Sequence, residues 1–364
     1  MGRYAWIPLY LIAAHGSVCG QDINSGGDST VLLIGSQVHY GSILAHSSAI
    51  ADLADSYIWG FQADISRIRY TQDAWSACNC YSENGFSASY FNFNNPGVLG
   101  STLNLALFAE PQLTYGRLNL GVRAGVGISY LTRIYHPESN PENLFFSSPW
   151  SGLLLAQLSG RYRINPDWLL RLSTSYHHIS NGGKRQPNKG MNFPTVGFGL
   201  GYSVRYAPLP RRAKEPLADK TLRYYAGVFY NTRAVDGSDF SSQKRKMVIG
   251  LQGGFYKPFA RMHAAGLGFE VSHDSALKEQ ARLSDENFDH HVLSGLIRHH
   301  FIFGRFDFSQ ALGVYLHKEY PTPATVFQRY AIQYRILNKL QAGFSLKAHL
   351  HTAEQMDLRI GVLF

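Results

Sequence analysis

The feature that most constrains the fold is an alternation of apolar and polar residues that recurs along most of the chain. Between Arg117 and Tyr130, the even positions hold only Leu, Val, Ala, Ile and Tyr, and the odd positions between them hold Asn, Gly, Arg or Ser. The segments 339–350 and 355–364 alternate in the same way. Successive side chains of a β-strand point to opposite faces, so each such segment predicts a strand with one apolar face.

This pattern marks about sixteen candidate strands. Boundaries are set only to within several residues, and merging of the weaker candidates gives a range of 12–16. Only 16% of the residues are charged, against about 25% in soluble domains. We therefore predict an all-β fold, a transmembrane antiparallel β-barrel of about 16 strands. The candidates lie near residues 30–45, 56–71, 84–93, 102–114, 117–131, 150–164, 167–180, 194–207, 221–234, 245–257, 264–273, 287–302, 305–317, 328–337, 339–350 and 355–364.

The connections between strands predict the orientation of the barrel. Bacterial barrels have short periplasmic turns and longer external loops. On this count the seventh strand ends at Ser180 and runs outward. The charged, Pro-rich segment 208–220 breaks the rule and could link an eight-stranded barrel to a second domain. We expect one barrel, because the strands after this segment alternate like those before it.

The two ends of the chain predict export and insertion into a membrane. Arg3, an apolar run over 5–14 and the small residues that follow it are typical of a signal peptide over residues 1–20. The last strand sets apolar residues at every second place and stops on Phe364, which resembles the C-terminal assembly signal of outer-membrane barrels. We therefore expect residues 21–364 to form one domain in the outer membrane of a Gram-negative bacterium. The assembly machinery would be its partner through Phe364.

The formal charge of +9 indicates an anionic partner. In an exported chain, lipopolysaccharide or acidic lipid headgroups suit this charge better than nucleic acid does. The same charge is equally compatible with Lys and Arg side chains in solvated loops or a water-filled lumen.

The cysteine and histidine residues predict neither a disulfide framework nor a metal site. Cys19 would leave with the signal peptide, and Cys78 and Cys80 are too close for an easy bridge, so we expect turn residues there. The pairs His290-His291 and His299-His300 would put adjacent imidazoles on opposite strand faces. We therefore predict no metal and no cofactor.

A polar constellation joins two of the clearest strands. The segment 168–176 has its apolar residues at even positions, and His178 and Ser180 continue that face. Asn192 has the parity of the apolar face of the next strand. Paired as a hairpin, the two strands would bring His178, Ser180 and Asn192 to one side, a polar triad at the end of an apolar face.

These residue types are those of an acyl hydrolase. A serine hydroxyl needs a base to remove its proton, and a third group must hold that base in one tautomer. Ser180 would be the nucleophile, His178 the base and Asn192 the orienting group. The oxyanion would take hydrogen bonds from the Asn181 side chain and from backbone amides of the following Gly-Gly turn, Gly183 included. The cations that follow, Lys184 and Arg185, would meet a lipid phosphate or only solvate the loop.

The motif His178-Ile179-Ser180-Asn181-Gly182-Gly183, with Pro187-Asn188 and Gly190-x-Asn192 after it, resembles the lipid A 3-O-deacylase family. The resemblance is strongest to its long Bacteroidetes-type barrels, described as acyloxyacyl hydrolases, and extends to His39-Tyr40-Gly41 and Ala45-His46-Ser47. It implies that His178 and Ser180 are catalytic. The family has Glu where this chain has Asn192.

The resemblance implies an outer-membrane serine esterase that removes an ester-linked acyl chain from lipid A, with lipopolysaccharide in the outer leaflet as its partner. The outer-membrane phospholipase A family also has His-x-Ser-Asn followed by an Asn, and is one alternative. That family binds calcium with help from an Arg where this chain has Gly183, so we expect no calcium requirement. A non-catalytic porin-like or structural barrel is the other alternative.

Overall fold

The computed structural model describes residues 29–217, 219–235, 245–285, 287, 289–319, 325–349 and 352–364. The predicted signal peptide over residues 1–20, Cys19 included, lies outside the described residues.

The described residues form sixteen antiparallel strands, as the alternation predicts. A 3-10 turn spans Ser48–Ile50, and the helices α1 and α2 span Gln72–Cys78 and Ser275–Ser284. No helix in the described part of the chain combines the length and the apolar character that a membrane span requires. The strands are β1 Ser29–Ser42, β2 Tyr57–Tyr70, β3 Tyr81–Asn95, β4 Gly100–Tyr115, β5 Leu118–Leu131, β6 Trp150–Arg163, β7 Trp168–Ser180, β8 Met191–Arg205, β9 Arg223–Ala234, β10 Arg245–Ala260, β11 His263–Asp274, β12 His291–Phe303, β13 Phe306–His317, β14 Val326–Arg335, β15 Leu340–His349 and β16 Thr352–Leu363.

These strands close into two barrels of eight strands each, not into one barrel. Strands β1 to β8 form the first, and β9 to β16 form the second. The first closes where β1 pairs with β8, with Ile34 opposite Tyr202, and the second where β16 pairs with β9. The expectation of a single barrel is therefore wrong, and the segment 208–220 is a linker. Alternation is the same in one large and two small barrels, because it records which face a residue takes and not which strands meet at the seam.

Each barrel is apolar outside and polar inside. In β2 the exposed and buried residues alternate without a break, and the outward Phe61 and Ile65 are about half or more exposed whereas the inward Gln62 and Asp64 are buried. This is the inverse of a soluble barrel and the arrangement of a membrane-spanning one. Aromatic pairs mark the end of the first barrel that the loop lengths predict to face outward, the outer end, including Tyr40 with Tyr57, Trp59 with Tyr90 and Tyr130 with Trp150.

Charged side chains fill the middle of both lumens. In the first barrel Asp64, Glu83 and Glu110 pair with three arginines, as in the contacts of Arg123 with Asp64 at 2.8 Å and with Glu110 at 2.7 Å. The other two arginines are Arg161 and Arg171. In the second barrel Glu270 and Asp357 pair with Arg298, Arg329 and Arg359 at 2.7–3.0 Å. An eight-stranded barrel is only wide enough for its interior side chains to fill it.

Apolar clusters close the first lumen above and below these charges. At the outer end, Phe91, Phe93, Phe145, Phe146 and Phe193 are fully buried with their aliphatic neighbours. At the inner end a smaller cluster is built from Val31, Leu33, Ile68, Tyr70, Tyr81 and Leu169, with Trp75 of α1 packed on it. A lumen filled along its length does not conduct solutes, which disfavours the porin-like alternative.

The linker is docked onto α1 at the inner end of the first barrel. Asn79 ends α1 in the left-handed conformation, and its side chain exchanges hydrogen bonds of 2.9 Å with the backbone of Glu215. Arg261 of the second barrel lies 3.4 Å from the Glu215 carboxylate. The same turn at Asn79 brings Cys78 and Cys80 to a Cα separation of 5.0 Å, and they form a disulfide. The prediction of unpaired turn cysteines is wrong, because a left-handed residue between them folds the chain back within bridging distance.

Candidate active site

The predicted hairpin forms, and it places the polar constellation on the outside of the first barrel. Strands β7 and β8 pair in the register that sets His178 directly opposite Asn192. His178, Ser180 and Asn192 are all partly exposed on the outer face, whereas His177 and Ile179 between them are buried inside the barrel. Tyr176, an outward aromatic residue two places earlier, is 42% exposed. Two residues of strand span about 7 Å, so the constellation lies just above the level of the outer aromatic residues.

A chain of hydrogen bonds fixes the state of His178. The Nε2 of His46 lies 2.9 Å from the carbonyl of Lys189, which can only accept, so Nε2 carries the proton. The Nδ1 of His46 therefore accepts from the Asn192 amide at 3.2 Å. That turns the Asn192 Oδ1 toward His178, whose Nδ1–H donates to it at 2.6 Å. His178 is thereby left with an unprotonated Nε2, the form that a general base requires.

Ser180 lies on the same face, and its hydroxyl oxygen accepts two hydrogen bonds. The Asn188 side-chain amide donates at 2.9 Å and the Gly182 backbone N–H at 3.1 Å. The described residues show no hydrogen bond between Ser180 and His178, a contact that in hydrolases often tightens only when substrate binds. Ser180 and His178 both lie next to Gly190. A Cβ atom added at Gly190 would lie 3.3 Å from Ser180 Cβ and 3.4 Å from His178 Cε1, so any larger residue there would fill the space beside both side chains. Gly190 has a φ of +69°, which further favours glycine.

Asn181 does not serve the role predicted for its side chain. Its amide donates to the Ser147 hydroxyl at 3.2 Å and to the Arg185 carbonyl at 2.8 Å, so both amide hydrogens are engaged away from Ser180. This side chain is buried and ties the loop after Ser180 to the neighbouring loop over 132–149. The correction follows from strand parity: Asn181 follows the outward Ser180 and points inward.

The glycine turn and the two cations lie at the edge of the site. Gly182 and Gly183 have φ values of +65° and +75°, which only glycine adopts readily, and they let the chain turn back sharply after Ser180. Lys184 is exposed, and Arg185 is half-buried with its carbonyl accepting from Ser147 at 2.7 Å. Both line the same cavity as His178, Ser180 and Asn192.

Two residues of this site were not singled out from the sequence as site residues. Asn188 contacts the serine oxygen, and His46, from the first outer loop, orients Asn192. Both belonged to segments noted for their family resemblance, but neither lies on the alternating face that identified the others. Loop residues have no periodicity, so only the resemblance could have identified them.

The site opens onto an apolar cavity of about 2830 Å³ between the two barrels. Outward residues of the first barrel, such as Leu154 and Leu172, line one side, and Phe308 and Phe344 of the second line the other. At one end of the cavity, Met356 of β16 approaches the loop after Ser180, since a Cβ on Gly182 would lie 3.0 Å from Met356 Cβ. The second barrel therefore forms one side of the approach to the site.

These features define the class of protein, an outer-membrane β-barrel with a hydrolase-type site. They are the outward apolar belts, the filled lumens and the polar Ser-His-Asn group on the outside of the first barrel. Two family models match the chain. "Lipid A 3-O-deacylase" matches residues 61–202 and "Acyloxyacyl hydrolase, C-terminal domain" matches residues 222–364. The chain belongs to this family of lipid A deacylases and acyloxyacyl hydrolases. The first match covers most of the first barrel, from within β2 to within β8, and the second covers the whole second barrel. The resemblance predicted from the sequence is confirmed.

Solved structures of outer-membrane barrels are similar to parts or most of the chain. The outer membrane enzyme PagL has 13% identity over 45% of this chain and 97% of its own, with a TM-score of 0.34. Neisserial surface protein A has 12% identity over 49% and 99%, with a TM-score of 0.33. A Rh. blastica porin variant has 9% identity over 93% and 100%, with a TM-score of 0.19. No curated protein matches the chain.

Proposed function

We propose that this protein is a serine esterase that removes an ester-linked acyl chain from lipid A in the outer leaflet of a Gram-negative outer membrane. The observation that carries the proposal is the hydrogen bond of 2.6 Å between His178 Nδ1 and Asn192 Oδ1, on the outer face beside Ser180. It gives a serine at the lipid surface a base already in the correct tautomer.

The proposed reaction follows from these groups. Ser180 attacks the ester carbonyl while His178 Nε2 takes the hydroxyl proton. His178 then gives the proton to the departing alkoxide, which leaves an acyl-enzyme on Ser180. Water, deprotonated by His178, attacks that acyl group and releases the fatty acid. Asn192 orients the imidazole throughout, but as a neutral amide it stabilises the imidazolium less than the family's Glu would.

The oxyanion of each tetrahedral intermediate forms beside the Ser180 oxygen. The Asn188 amide and the Gly182 N–H now donate to the Ser180 hydroxyl oxygen. In the proposed intermediate they donate to the oxyanion beside it, together with the Gly183 N–H of the same turn. These donors replace Asn181 in our proposal. Each such donor typically contributes about 3 kcal/mol to stabilisation of the transition state.

The surroundings of the site suit a lipid with an anionic headgroup. Lys184 and Arg185 line the apolar cavity between the barrels, beside Ser180. In our proposal the cavity takes the acyl chains, and the two cations bind a phosphate at the membrane surface. Lipid A combines phosphate with several ester-linked chains, which is why we prefer it to other outer-leaflet lipids. A phospholipid shares this chemistry and is the second candidate, because a neutral Asn orients the imidazole here as it does in the outer-membrane phospholipase family.

Mass spectrometry of lipid A and phospholipids from cells expressing the protein tests the proposal. Wild type should remove one hydroxyacyl mass from lipid A, and Ser180→Ala and His178→Ala should not. His177→Ala is a matched control, because His177 is the adjacent imidazole buried inside the barrel. Lysophospholipid with intact lipid A would move the substrate to phospholipids. Unchanged lipids with all variants present and folded in the membrane would refute the esterase.

A further inference from the structure

Three histidines converge at the outer end of the second barrel, far along the chain from the Ser180 site. His273 is near the end of β11, His290 precedes β12 and His291 begins it. The Nδ1 of His273 and the Nε2 of His291 are 3.2 Å apart, and the rings of His273 and His290 have centroids 4.6 Å apart. One ligand nitrogen from each of the three residues lies within 4.8 Å of the other two.

This convergence corrects the expectation that His290 and His291 point to opposite faces. His291 is the first residue of β12 and pairs with His273 across the ladder. His290 lies before the strand, so the alternation does not govern its side chain, and its ring folds back to 4.6 Å from that of His291. Two imidazoles come from a cross-strand pair and the third from the loop that leads into it.

The spacing of the nitrogens fits a metal ion. Zinc binds imidazole nitrogen at about 2.0–2.1 Å, so two nitrogens on one tetrahedral zinc are roughly 3.3 Å apart. The Nδ1 of His273 and the Nε2 of His291 are 3.2 Å apart, close to this spacing. The third nitrogen, within 4.8 Å of both, needs only a rotation of a partly exposed ring.

A carboxylate behind the cluster orients one of the rings. The Nδ1 of His291 lies 2.7 Å from Asp289 Oδ1, so Nδ1 carries the proton and the lone pair on Nε2 faces His273. The other oxygen of Asp289 lies 2.8 Å from His317 Nε2, and the Asp289 backbone N–H donates to Glu319 at 2.6 Å. Carboxylates that hold the far nitrogen of a ligating imidazole are the usual second layer of a metal site.

From this geometry we propose that His273, His290 and His291 form a binding site for one divalent transition metal ion of the zinc type. Imidazole ligands suit zinc, copper and nickel and do not suit magnesium or calcium. Two of the three rings are half-buried and the third is exposed, so an ion can reach them from solvent. The site is separate from Ser180 and requires nothing of the proposed esterase.

The chain itself offers a matched control. His263 Nδ1 and His299 Nε2 lie 3.0 Å apart on the same pair of strands, at their other end. That pair has the same close approach of nitrogens, yet among the described residues it belongs to no cluster of three metal-ligating side chains. If the three histidines form the site, His290→Ala should weaken metal binding and His263→Ala should leave it unchanged.

The experiment is calorimetric titration of the full chain in detergent with ZnCl₂, after chelator treatment and without a polyhistidine tag. We expect one Zn²⁺ per chain, a loss of at least tenfold in affinity for His273→Ala and His290→Ala, and a loss of about 10- to 100-fold for Asp289→Asn. His263→Ala and Ser180→Ala should bind as wild type, and Mg²⁺ should not compete. Barrel closure of each variant is checked by heat-modifiable migration on gels.

Co²⁺ provides a second readout, since a four-coordinate site with three imidazoles gives strong visible absorption that His290→Ala should abolish. The proposal is overturned if the wild type binds no stoichiometric Zn²⁺, or if His290→Ala binds as tightly as wild type. Equal losses in His263→Ala and His290→Ala would also overturn it, because binding would then not depend on the three-histidine geometry.

Discussion

Replacing His46 tests the logic of the site most sharply, because in the proposed reaction His46 is neither the nucleophile nor the base. Its Nδ1 accepts from the Asn192 amide at 3.2 Å and so decides which end of that amide faces His178. A Glu or Asp in place of Asn192 would present an oxygen to His178 whichever way its carboxylate turned. Only an Asn needs a neighbour that prevents it from presenting its NH₂ group to the imidazole.

The expected loss can be worked from this one contact. His46→Ala removes a neutral hydrogen bond worth about 0.5–1.5 kcal/mol, and each 1.36 kcal/mol is tenfold in rate. We expect kcat to fall by about 2- to 13-fold with little change in KM. Asn192→Ala removes the orienting group altogether, and loss of the correct tautomer costs up to about 10⁴ in serine hydrolases. The double variant His46→Ala with Asn192→Asp should recover most of the wild-type rate, because a carboxylate needs no orientation.

The assay is fatty acid release from lipid A in detergent micelles, measured over time by mass spectrometry to give kcat and KM separately. Recovery in the double variant is the decisive result, since a merely structural defect of His46→Ala would persist. The reasoning is refuted if the double variant is as slow as His46→Ala alone while Asn192→Asp alone is active.

Three other outcomes are expected. Asn188→Ala should lower kcat by about 10²–10³ with KM nearly constant, because it removes a donor that we assign to the oxyanion; an unchanged kcat in fatty acid release would exclude Asn188 from the oxyanion site. Glu83→Gln should destabilise the first barrel by about 3–5 kcal/mol, because it leaves buried arginines underpaired. Thermal unfolding followed by gel migration checks this, with the exposed Glu319→Gln as control. Planar bilayers containing the wild type should show no steady conductance, since side chains fill both lumens, and stable open channels would contradict that description.

The sequence predicts those parts of the molecule that follow from periodicity. Strand parity was enough to place His178, Ser180 and Asn192 on one face. The pairing of β7 with β8 then brought His178 opposite Asn192 on that face. The closure into two barrels was not predictable in this way, since the pairing of β1 with β8 joins strands far apart in the chain. The disulfide was missed because it depends on the left-handed backbone of Asn79.

Asn188 and His46 could not be identified from periodicity because they lie in loops whose positions are set by tertiary contacts. Lys189, which follows Asn188, is held by a backbone hydrogen bond to Leu144 in another loop. The prediction that His290 and His291 point to opposite faces was wrong for a related reason. His290 was assigned to a strand that begins one residue later. In each case the error lies where regular structure ends and side-chain direction is no longer fixed by position in the sequence.

The two closure seams have a consequence for how the chain assembles. Every strand finds both of its neighbours within its own half, so each half can complete its hydrogen bonding without the other. A sheet closed on itself has no open edge to pair with another chain. Closure of the first barrel therefore requires no strand of the second, and each closing pair is nearer in the chain than the first and last of sixteen strands would be in a single barrel.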